Sequence, residues 1–312
     1  MDFSKRRLWF FLLSVLVILP GIVFLILSPG LKPGIDFTGG SSLTIQFPQG
    51  SQADQNSIRT ELSKIGYSDT KIQNLGGITT NNKRYETFFL RTKTLTEEQK
   101  DTLVQSLNNV FSPDETNTLQ SFDLVSAVVA EETVINALWA VLAAAVGIFF
   151  YIWWAFRNVP SPFRYGLAAI VALLHDTFIV VGIFSILGYL FQIEVNTMFL
   201  IALLTVIGYS VNDTIVVFDR IRENVLLYAN RPFSEIVNLS ISETIGRSLN
   251  TSFTLLVTLF ALLTFGGSTI REFLYVLIIG VIAGTYSSIA IATQVLVSWE
   301  QKSIGKFLTS KG

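Results

Sequence analysis

Acidic side chains inside apolar stretches of the sequence could carry chemistry. His175 and Asp176 lie near the middle of one such stretch, and Asp213 lies in the next, between Asn212 and Thr214. An ionisable side chain within a lipid bilayer costs several kcal/mol unless it is paired or hydrated, so it is a functional hypothesis by default. The chemistry available to a buried carboxylate is the uptake and release of a proton.

Arg247 is a cation placed to respond to such a proton. It belongs to a polar segment, GRSLNTS, that directly precedes another apolar run. In a low-dielectric helix bundle, an acid and a cation can exchange partners when one of them is protonated. Neutralisation of Asp213 would release Arg247 and change how the helices pack. The residues therefore predict proton coupling through Asp213, Arg247, Asn212 and Asp176.

The same residues also have a purely structural explanation. Asp213, Asn212 and Arg247 could form a static ion pair and hydrogen-bond network that holds the helices together. His175 could be a hydrogen-bonded filler between helices. The neighbours of Asp213, which include Ser210, favour coupling because they make a polar lining rather than a single partner.

The composition narrows the class of protein. Only 14% of the 312 residues are charged and 50% are hydrophobic, with a mean hydropathy of +0.53, whereas soluble domains carry about 25% charge. The net charge of −1 leaves no basic excess for nucleic acid. The sequence has no cysteine, one histidine, no phosphate-binding GxxxxGK[ST] loop and no hydrolase signature. It predicts neither an enzyme nor a cofactor or metal site.

Six stretches are long enough to span a hydrocarbon core of about 30 Å. They cover residues 8–27, 135–156, 165–187, 197–218, 249–265 and 273–297. The apolar run of the first, about 20 residues, exceeds the 7–15 usual in a signal peptide, so we expect a retained anchor. The predicted fold class is an α-helical polytopic membrane protein with six transmembrane helices.

The distribution of Lys and Arg predicts the orientation. The connection 188–196 has no Lys or Arg, and the connection between the fifth and sixth spans has only Arg271. The other side of a six-span chain would hold Lys5, Arg6, Arg7, Arg157, Arg164, Arg220, Arg222, Arg231, Lys302, Lys306 and Lys311. We therefore expect a multi-pass protein of the plasma membrane with both termini in the cytoplasm.

This topology predicts four parts of the chain. They are a cytoplasmic N-terminus with the first transmembrane helix (1–28), an external periplasmic domain (29–132), a five-helix transmembrane bundle (133–298) and a cytoplasmic tail (299–312). Within the external domain, strands are predicted at 42–47, 71–75, 85–91 and 118–125, with helices at 54–65 and from 96 onward. The order β-α-β-β-α-β predicts an α+β ferredoxin-like sandwich.

Five motifs resemble, in order, those of the SecF family of bacterial protein-export membrane proteins. Gly34, Asp36, Gly39 and Gly40 belong to the first, GIDFTGG, directly after the first span. The others are LLHD at 173–176, ALLTVIGYSVNDTIVVFDRIREN at 202–224, RSLNTS at 247–252 and GTYSS at 284–288. The long motif is highly specific, and the short ones gain weight from their order.

The resemblance implies half of a resistance–nodulation–division-type bundle, with SecD as the partner that supplies the other half. It implies work beside the SecYEG channel and the SecA ATPase on unfolded, translocating preproteins. In that family the proton-motive force promotes late translocation and release, and the residues that match Asp213 and Arg247 are implicated in proton coupling. The carry-over to Asp176 is weaker.

Two other functions remain open at this point. A proton-driven exporter of small molecules or lipids from the same superfamily should show duplicated six-span halves or a substrate pocket. A structural scaffold for SecD would use Asp213 and Arg247 only for packing. Substitution of Asp213 and exchange of the Asp213 and Arg247 charges separate these possibilities from proton-driven export.

Overall fold

The computed structural model describes residues 3–27, 30–80, 83–112, 119–267 and 270–300. The chain divides into two compact units, one formed by Met1–Lys32 with Ala137–Gly312 and the other by Pro33–Asn136. We call them the membrane unit and the sheet unit. Residues 301–312 of the predicted tail, with Lys302, Lys306 and Lys311, lie outside the described residues.

Helices make up most of the chain, and the four described strands, with helices between them, lie within residues 40–125. The helices are α1 (Arg7–Ile26), α2 (Ile35–Thr38), α3 (Gln55–Lys64), α4 (Glu97–Phe111), α5 (Ala127–Ala155), α6 (Pro162–Phe191), α7 (Thr197–Leu227), α8 (Phe233–Phe265), α9 (Arg271–Ser287) and α10 (Thr293–Glu300). The strands are β1 (Gly40–Pro48), β2 (Lys71–Thr80), β3 (Lys83–Thr92) and β4 (Leu119–Val125). A π-helical turn, Ser288–Ala292, joins α9 to α10 without a break in the helical path.

Six helical segments are long and apolar enough to cross a membrane, which confirms the predicted fold class. They are Ser4–Ile26, Ala127–Ala155, Pro162–Phe191, Thr197–Leu227, Phe233–Phe265 and Arg271–Glu300. Helix α8 begins at Phe233, ahead of the fifth apolar stretch, which starts at residue 249. Hydropathy detects only the part of a helix that matches the hydrocarbon core. The segment around Arg247 is therefore the middle of a helix and not a turn ahead of one.

The centre of the membrane unit is formed by α6, α7 and the final span. In the most apolar 18-residue segment of each span, half of the residues are buried in α6 and in α7 and 67% in the final span, whereas none is buried in α5. Gly280 and Gly284 bring α9 close to α7: a Cβ on Gly280 would lie 2.2 Å from Val206 Cγ2. Small residues at such contacts let helix backbones approach within a membrane.

The first helix lies against α6 through a second contact between glycines. A Cβ built on Gly21 would lie 2.6 Å from the Cα of Gly182, which leaves no room for a side chain at either position. Most large apolar side chains of α1 remain exposed, for example Trp9 at 72%. One narrow face of α1 therefore contacts the bundle, and its position is set by few residues.

The sheet unit has the predicted ferredoxin-like arrangement. Its antiparallel strands lie in the order β2-β3-β1-β4, and α3 and α4 pack on the sheet over a core that includes Phe47, Phe88 and Leu103. Strand β2 continues to Thr80 and β3 begins at Lys83, so both strands extend beyond the predicted 71–75 and 85–91. A β-bulge between Asn74 and Gly76 accommodates the glycines within the strand.

The motif GIDFTGG forms a tight corner ahead of β1. Gly39 and Gly40 have φ of +71° and +130°, and a Cβ on Gly40 would lie 2.7 Å from the carbonyl oxygen of Thr92. Glycine alone suits both requirements. The Arg91 guanidinium fastens the corner by donating to Pro33 O at 2.8 Å and to Thr38 Oγ1 at 2.5 Å.

Candidate functional site in the membrane unit

The carboxylate of Asp213 lies where α7 meets α8. Asp213 is 8% exposed, and its Oδ1 accepts a hydrogen bond from the Ser248 hydroxyl at 2.6 Å. Its Oδ2 is buried and makes no hydrogen bond of ordinary geometry in the described part of the chain, although the Ser288 hydroxyl lies near this carboxylate. A carboxylate has about four acceptor positions. Most of the acceptor capacity of Asp213 is therefore unused within this chain.

The residue after Asp213 connects α7 to the π-helical turn. Thr214 Oγ1 and Ser288 Oγ are 2.9 Å apart, and Thr214 also donates to the Ser210 carbonyl at 3.1 Å. A Cβ on Gly284 would lie 2.9 Å from Ser210 Cβ, so α9 is pressed against this turn of α7. The π-helical turn begins at Ser288, and such turns occur frequently at functional sites.

Arg247 and Asn212 do not lie in the buried cluster where the sequence analysis placed them. Both are exposed on the surface of the chain, and no ion pair joins Arg247 to Asp213 among the described residues. The sequence leaves open whether Asp213 and Arg247 are in contact, and in this structure they are not. The reason is geometric: successive residues of an α-helix point about 100° apart. Because α8 is continuous here, Ser248 faces Asp213 and the preceding Arg247 faces outward.

A second carboxylate, Asp176, has polar partners at both of its oxygens. It is 2% exposed. Its Oδ2 accepts hydrogen bonds from Ser210 Oγ at 2.5 Å and Ser287 Oγ at 2.7 Å, and its Oδ1 lies 3.0 Å from Nδ1 of His175. The cluster therefore joins α6, α7 and α9.

This second cluster also reaches the first helix. Nε2 of His175 lies 3.0 Å from the Ser14 hydroxyl on α1. Ser14 donates to the Tyr286 hydroxyl at 3.3 Å, and Tyr286 donates to the Phe10 carbonyl at 2.7 Å. Sequence reasoning missed Ser14, because a serine in an apolar stretch gives no signal and its partner is 161 residues away.

The two carboxylate clusters meet at one residue of α7. The side chain of Ser210 donates to Asp176, and its carbonyl accepts from Thr214 beside Asp213. The structure thus brings the predicted Asp176 and Asp213 into one hydroxyl-lined region of the bundle, together with Ser248, Ser287 and Ser288, which the sequence analysis did not identify as partners. Hydroxyl side chains are common in membrane helices, so residue type alone does not mark them.

Beyond the apolar part of α7, an ion-pair network fixes α7 to α8. Arg220 donates to Glu243 at 2.7 Å and also pairs with Glu223. Buried Asn224 donates to Glu243 at 2.8 Å and to Ser240 at 2.9 Å. Sequence reasoning assigned Arg220 mainly to topology and did not foresee the contact with Glu243. The end of the long motif therefore holds helices together as well as carrying positive charge.

The described residues include no group of three or more His, Cys, Asp or Glu side chains that could hold a metal ion. What the region offers is a pair of buried carboxylates connected by hydroxyls. Asp213 has one donor and free acceptor capacity, so a proton can bind there without breaking several hydrogen bonds. Such a carboxylate can switch between charged and neutral forms and alter the packing around it.

Comparison with known proteins gives the family. The profile described as Protein export membrane protein SecD/SecF, C-terminal, matches residues 104–302, and that of the SecD/SecF GG Motif matches residues 24–49. A protein translocase subunit SecF from Thermobaculum terrenum is 44% identical over 305 residues, which cover 96% of this chain and 94% of that relative. A second, from Anaerolinea thermophila, is 39% identical and covers 95% of this chain and 92% of the relative.

Solved structures give the same result. The chain superposes on SecDF, a translocon-associated membrane protein from Thermus thermophilus, with a TM-score of 0.80 and 31% identity; the match covers 96% of this chain and 39% of that one. A super-membrane-facing form of SecDF gives a TM-score of 0.65 at 29% identity, covering 99% of this chain and 40% of that one. This chain thus spans about two fifths of the SecDF chains. It belongs to the SecD/SecF family of protein-export membrane proteins.

Proposed function

We propose that this chain is a SecF-like subunit that works with SecD and uses the proton-motive force to promote translocation and release of exported proteins. Asp213 is the group that takes up and releases the proton. The observation that carries this proposal is the incomplete bonding of a buried carboxylate beside the outward-facing Arg247. Family membership supports the role in translocation, and the carboxylate supports the coupling to protons.

The exposed polar residues support a partner on this face of the bundle. Asn212 and Arg247 are exposed on two of the helices that are long and apolar enough to cross a membrane. A charged side chain that faces lipid within a membrane is costly unless it is paired or reaches the interface. A second membrane protein that covers these side chains removes that cost. About three fifths of each SecDF chain lies outside the part that this chain matches, so SecD is the partner we assign to this face.

Asp176 and the glycine corner have supporting roles in this proposal. Asp176 is the second proton-coupling carboxylate, connected to the surroundings of Asp213 through Ser210. Gly39 and Gly40, with Gly34 and Asp36 of the same motif, shape the link between α1 and β1. That link connects the membrane unit to the sheet unit along the chain.

The arrangement of charge supports an orientation. Basic residues flank the ends of α1, α5 and α7 that we assign to the cytoplasm, where SecA and the cytoplasmic side of SecYEG would be reached. The sheet unit then lies outside the plasma membrane, where it meets the emerging preprotein. Both termini are cytoplasmic in this assignment.

The experiment is an export assay in cells whose own SecD and SecF are replaced by this chain and its cognate SecD. Asp213→Asn keeps the shape and the Ser248 hydrogen bond but cannot ionise, so we expect normal insertion and loss of the part of export that depends on the proton gradient. Asp219→Asn is the matched control, because it removes an exposed carboxylate from the same helix. Gradient-dependent export at the wild-type level by well-expressed Asp213→Asn contradicts the proposal.

A further inference from the structure

A chain of hydrogen bonds connects the first helix to Asp176 through the single histidine of the protein. It runs from the Phe10 carbonyl through Tyr286, Ser14 and His175 to the carboxylate. Ser14, His175 and Asp176 are 6%, 7% and 2% exposed. Such a closed chain constrains which atom holds each hydrogen, because every contact needs one donor and one acceptor.

The direction of the first contacts fixes the state of the histidine. Tyr286 donates its hydrogen to the Phe10 carbonyl, so Ser14 donates its own to Tyr286. Having used its hydrogen, the Ser14 hydroxyl faces His175 as an acceptor, and Nε2 must carry a hydrogen. At the other ring nitrogen, Nδ1 lies 3.0 Å from Asp176 Oδ1, and this contact also needs one hydrogen between its two atoms.

We propose that His175 and Asp176 hold one proton between them as a net-neutral unit, and that Ser14 makes the position of α1 depend on that proton. Two forms satisfy the bonding, an imidazolium with a carboxylate or a neutral imidazole with a carboxylic acid. Both carry a hydrogen on Nε2. A neutral histidine beside an ionised Asp176 does not, since its one hydrogen is needed on Nδ1. This site extends the role proposed for Asp176 and does not depend on the role of Asp213.

Burial favours the net-neutral form. An isolated carboxylate in a low-dielectric bundle is strongly disfavoured, whereas a pair that shares a proton carries no net charge. Ser210 and Ser287 donate to the other carboxylate oxygen and accommodate either form. The shared proton therefore lies in a site whose hydrogen-bond partners all come from this chain.

Loss of the proton has a structural consequence at α1. Nε2 would become an acceptor, and Ser14 would have to turn its hydroxyl from Tyr286 toward His175. The Ser14–Tyr286 hydrogen bond that joins α1 to α9 would then be lost. Because only a narrow face of α1 contacts the bundle, with few polar contacts such as those of Ser14 and the Phe10 carbonyl, each hydrogen bond there contributes to its position.

The other ionisable groups near the pair are few. Tyr286 of α9 packs against the His175 ring, with centroids 5.9 Å apart. On α7, Asp213 follows Ser210 by three residues, and on α1 the only charged residue is Arg7 at its first position. Asp213→Asn therefore serves to test whether a neighbouring charge, rather than the local bonding, sets the state of the pair.

Nuclear magnetic resonance of the full chain labelled with ¹⁵N-histidine measures this state directly, because His175 is the only histidine. We expect a hydrogen on Nε2 from mildly acidic to mildly alkaline buffer in the wild type and in Asp213→Asn. Asp176→Asn removes the carboxylate that shares the proton, so the ¹⁵N shifts of both ring nitrogens should change. A wild-type ring with a bare Nε2 near neutral pH overturns the proposal.

Ser14→Ala tests the connection to α1 in a variant that keeps the carboxylate. We expect Nε2 to lose its acceptor and its hydrogen to exchange with solvent faster, together with faster amide exchange in α1. Ser185→Ala is the control, since Ser185 is a fully buried hydroxyl on α6 with no hydrogen-bond partner in the described structure. Equal exchange rates in Ser14→Ala and Ser185→Ala overturn the role of Ser14.

Discussion

The two carboxylates of the bundle differ in how far this chain completes their surroundings. Asp176 contacts three polar partners and is sealed between α6, α7 and α9. Asp213 has one hydrogen-bond donor, Ser248, and an unused oxygen, and its neighbour Asn212 faces outward. A carboxylate whose hydrogen bonds are incomplete is open to a partner that covers it, whereas one bonded through both oxygens by its own chain is not. This difference supports the proposal that a partner protein acts at Asp213.

The largest effect expected from this comparison is on stability. Asp176→Ala leaves His175, Ser210 and Ser287 without their acceptor, and each unsatisfied buried group costs about 1–3 kcal/mol. We expect a loss of about 3 kcal/mol or more in the free energy of unfolding, measured by reversible denaturation in mixed micelles. Asp213→Ala frees only Ser248 and should lose about 1 kcal/mol.

The reverse order of these two losses would contradict the comparison. It would mean that Asp213 is the better-bonded carboxylate in the free chain. Ser185→Ala, which removes a buried hydroxyl without a hydrogen bond, provides the baseline for both variants.

A smaller effect is expected where α9 presses against the sealed site. A Cβ added by Gly284→Ala would lie 2.9 Å from Ser210 Cβ, and overpacking of this kind costs about 1–3 kcal/mol. The displaced Ser210 would also weaken its bond to Asp176. The same denaturation measurement checks this prediction, with Gly208→Ala as the control, because no atom lies within 4 Å of a Cβ at Gly208. Equal stability of the two variants would show that this helix contact is not tight.

Parts of this arrangement could be predicted from the sequence. An acidic residue in an apolar stretch is conspicuous, so Asp176 and Asp213 could be found, and the ferredoxin-like order followed from the periodicity of 29–132. The direction of Arg247 could not be found in this way. It depends on how α8 is rotated about its axis, and α8 begins at Phe233, well ahead of the apolar stretch that starts at 249.

The hydroxyl side chains that contact Asp176, Asp213 and His175 could not be predicted from the sequence for another reason. Serine and threonine in a helix often bond to their own backbone, as Thr251 does to the Arg247 carbonyl. The hydroxyls that bond across helices look the same in sequence. Only the packing of the helices shows that Ser14 contacts His175, whereas Thr251 contacts no carboxylate in the described structure.

The smallest effect on stability is expected for an exposed carboxylate in the sheet unit, in contrast to the two buried carboxylates of the bundle. Asp54 caps α3 by accepting from the Ser57 backbone at 2.6 Å, and the hydrogen bonds from Ser57 hold the pKa of Asp54 below its ordinary value of 3.8. A lowered pKa contributes stability above pH 3.8 that is lost as the pH falls through the lowered pKa. The protection of α3 amides in the full chain, after correction for the intrinsic pH dependence of exchange, should therefore decrease in acid.

Asp54→Asn checks the assignment of this pH dependence. Asparagine caps a helix without titrating, so the acid-dependent part of the exchange in α3 should disappear. Asp69→Asn, at an exposed aspartate outside the helices, should keep it. An unchanged acid response in Asp54→Asn would place its origin elsewhere in the sheet unit.

The most direct test of the central claim is an exchange of charge between Asp213 and Arg247. Export stimulated by an imposed proton gradient is measured in membrane vesicles that contain SecD, with Asp213→Arg combined with Arg247→Asp and each single variant beside it. Because the two side chains do not contact each other here, and because we propose Asp213 as the proton-binding group, we predict that the double variant inserts normally and remains uncoupled. Restoration of gradient-stimulated export by the exchange would show a static pair and contradict the account.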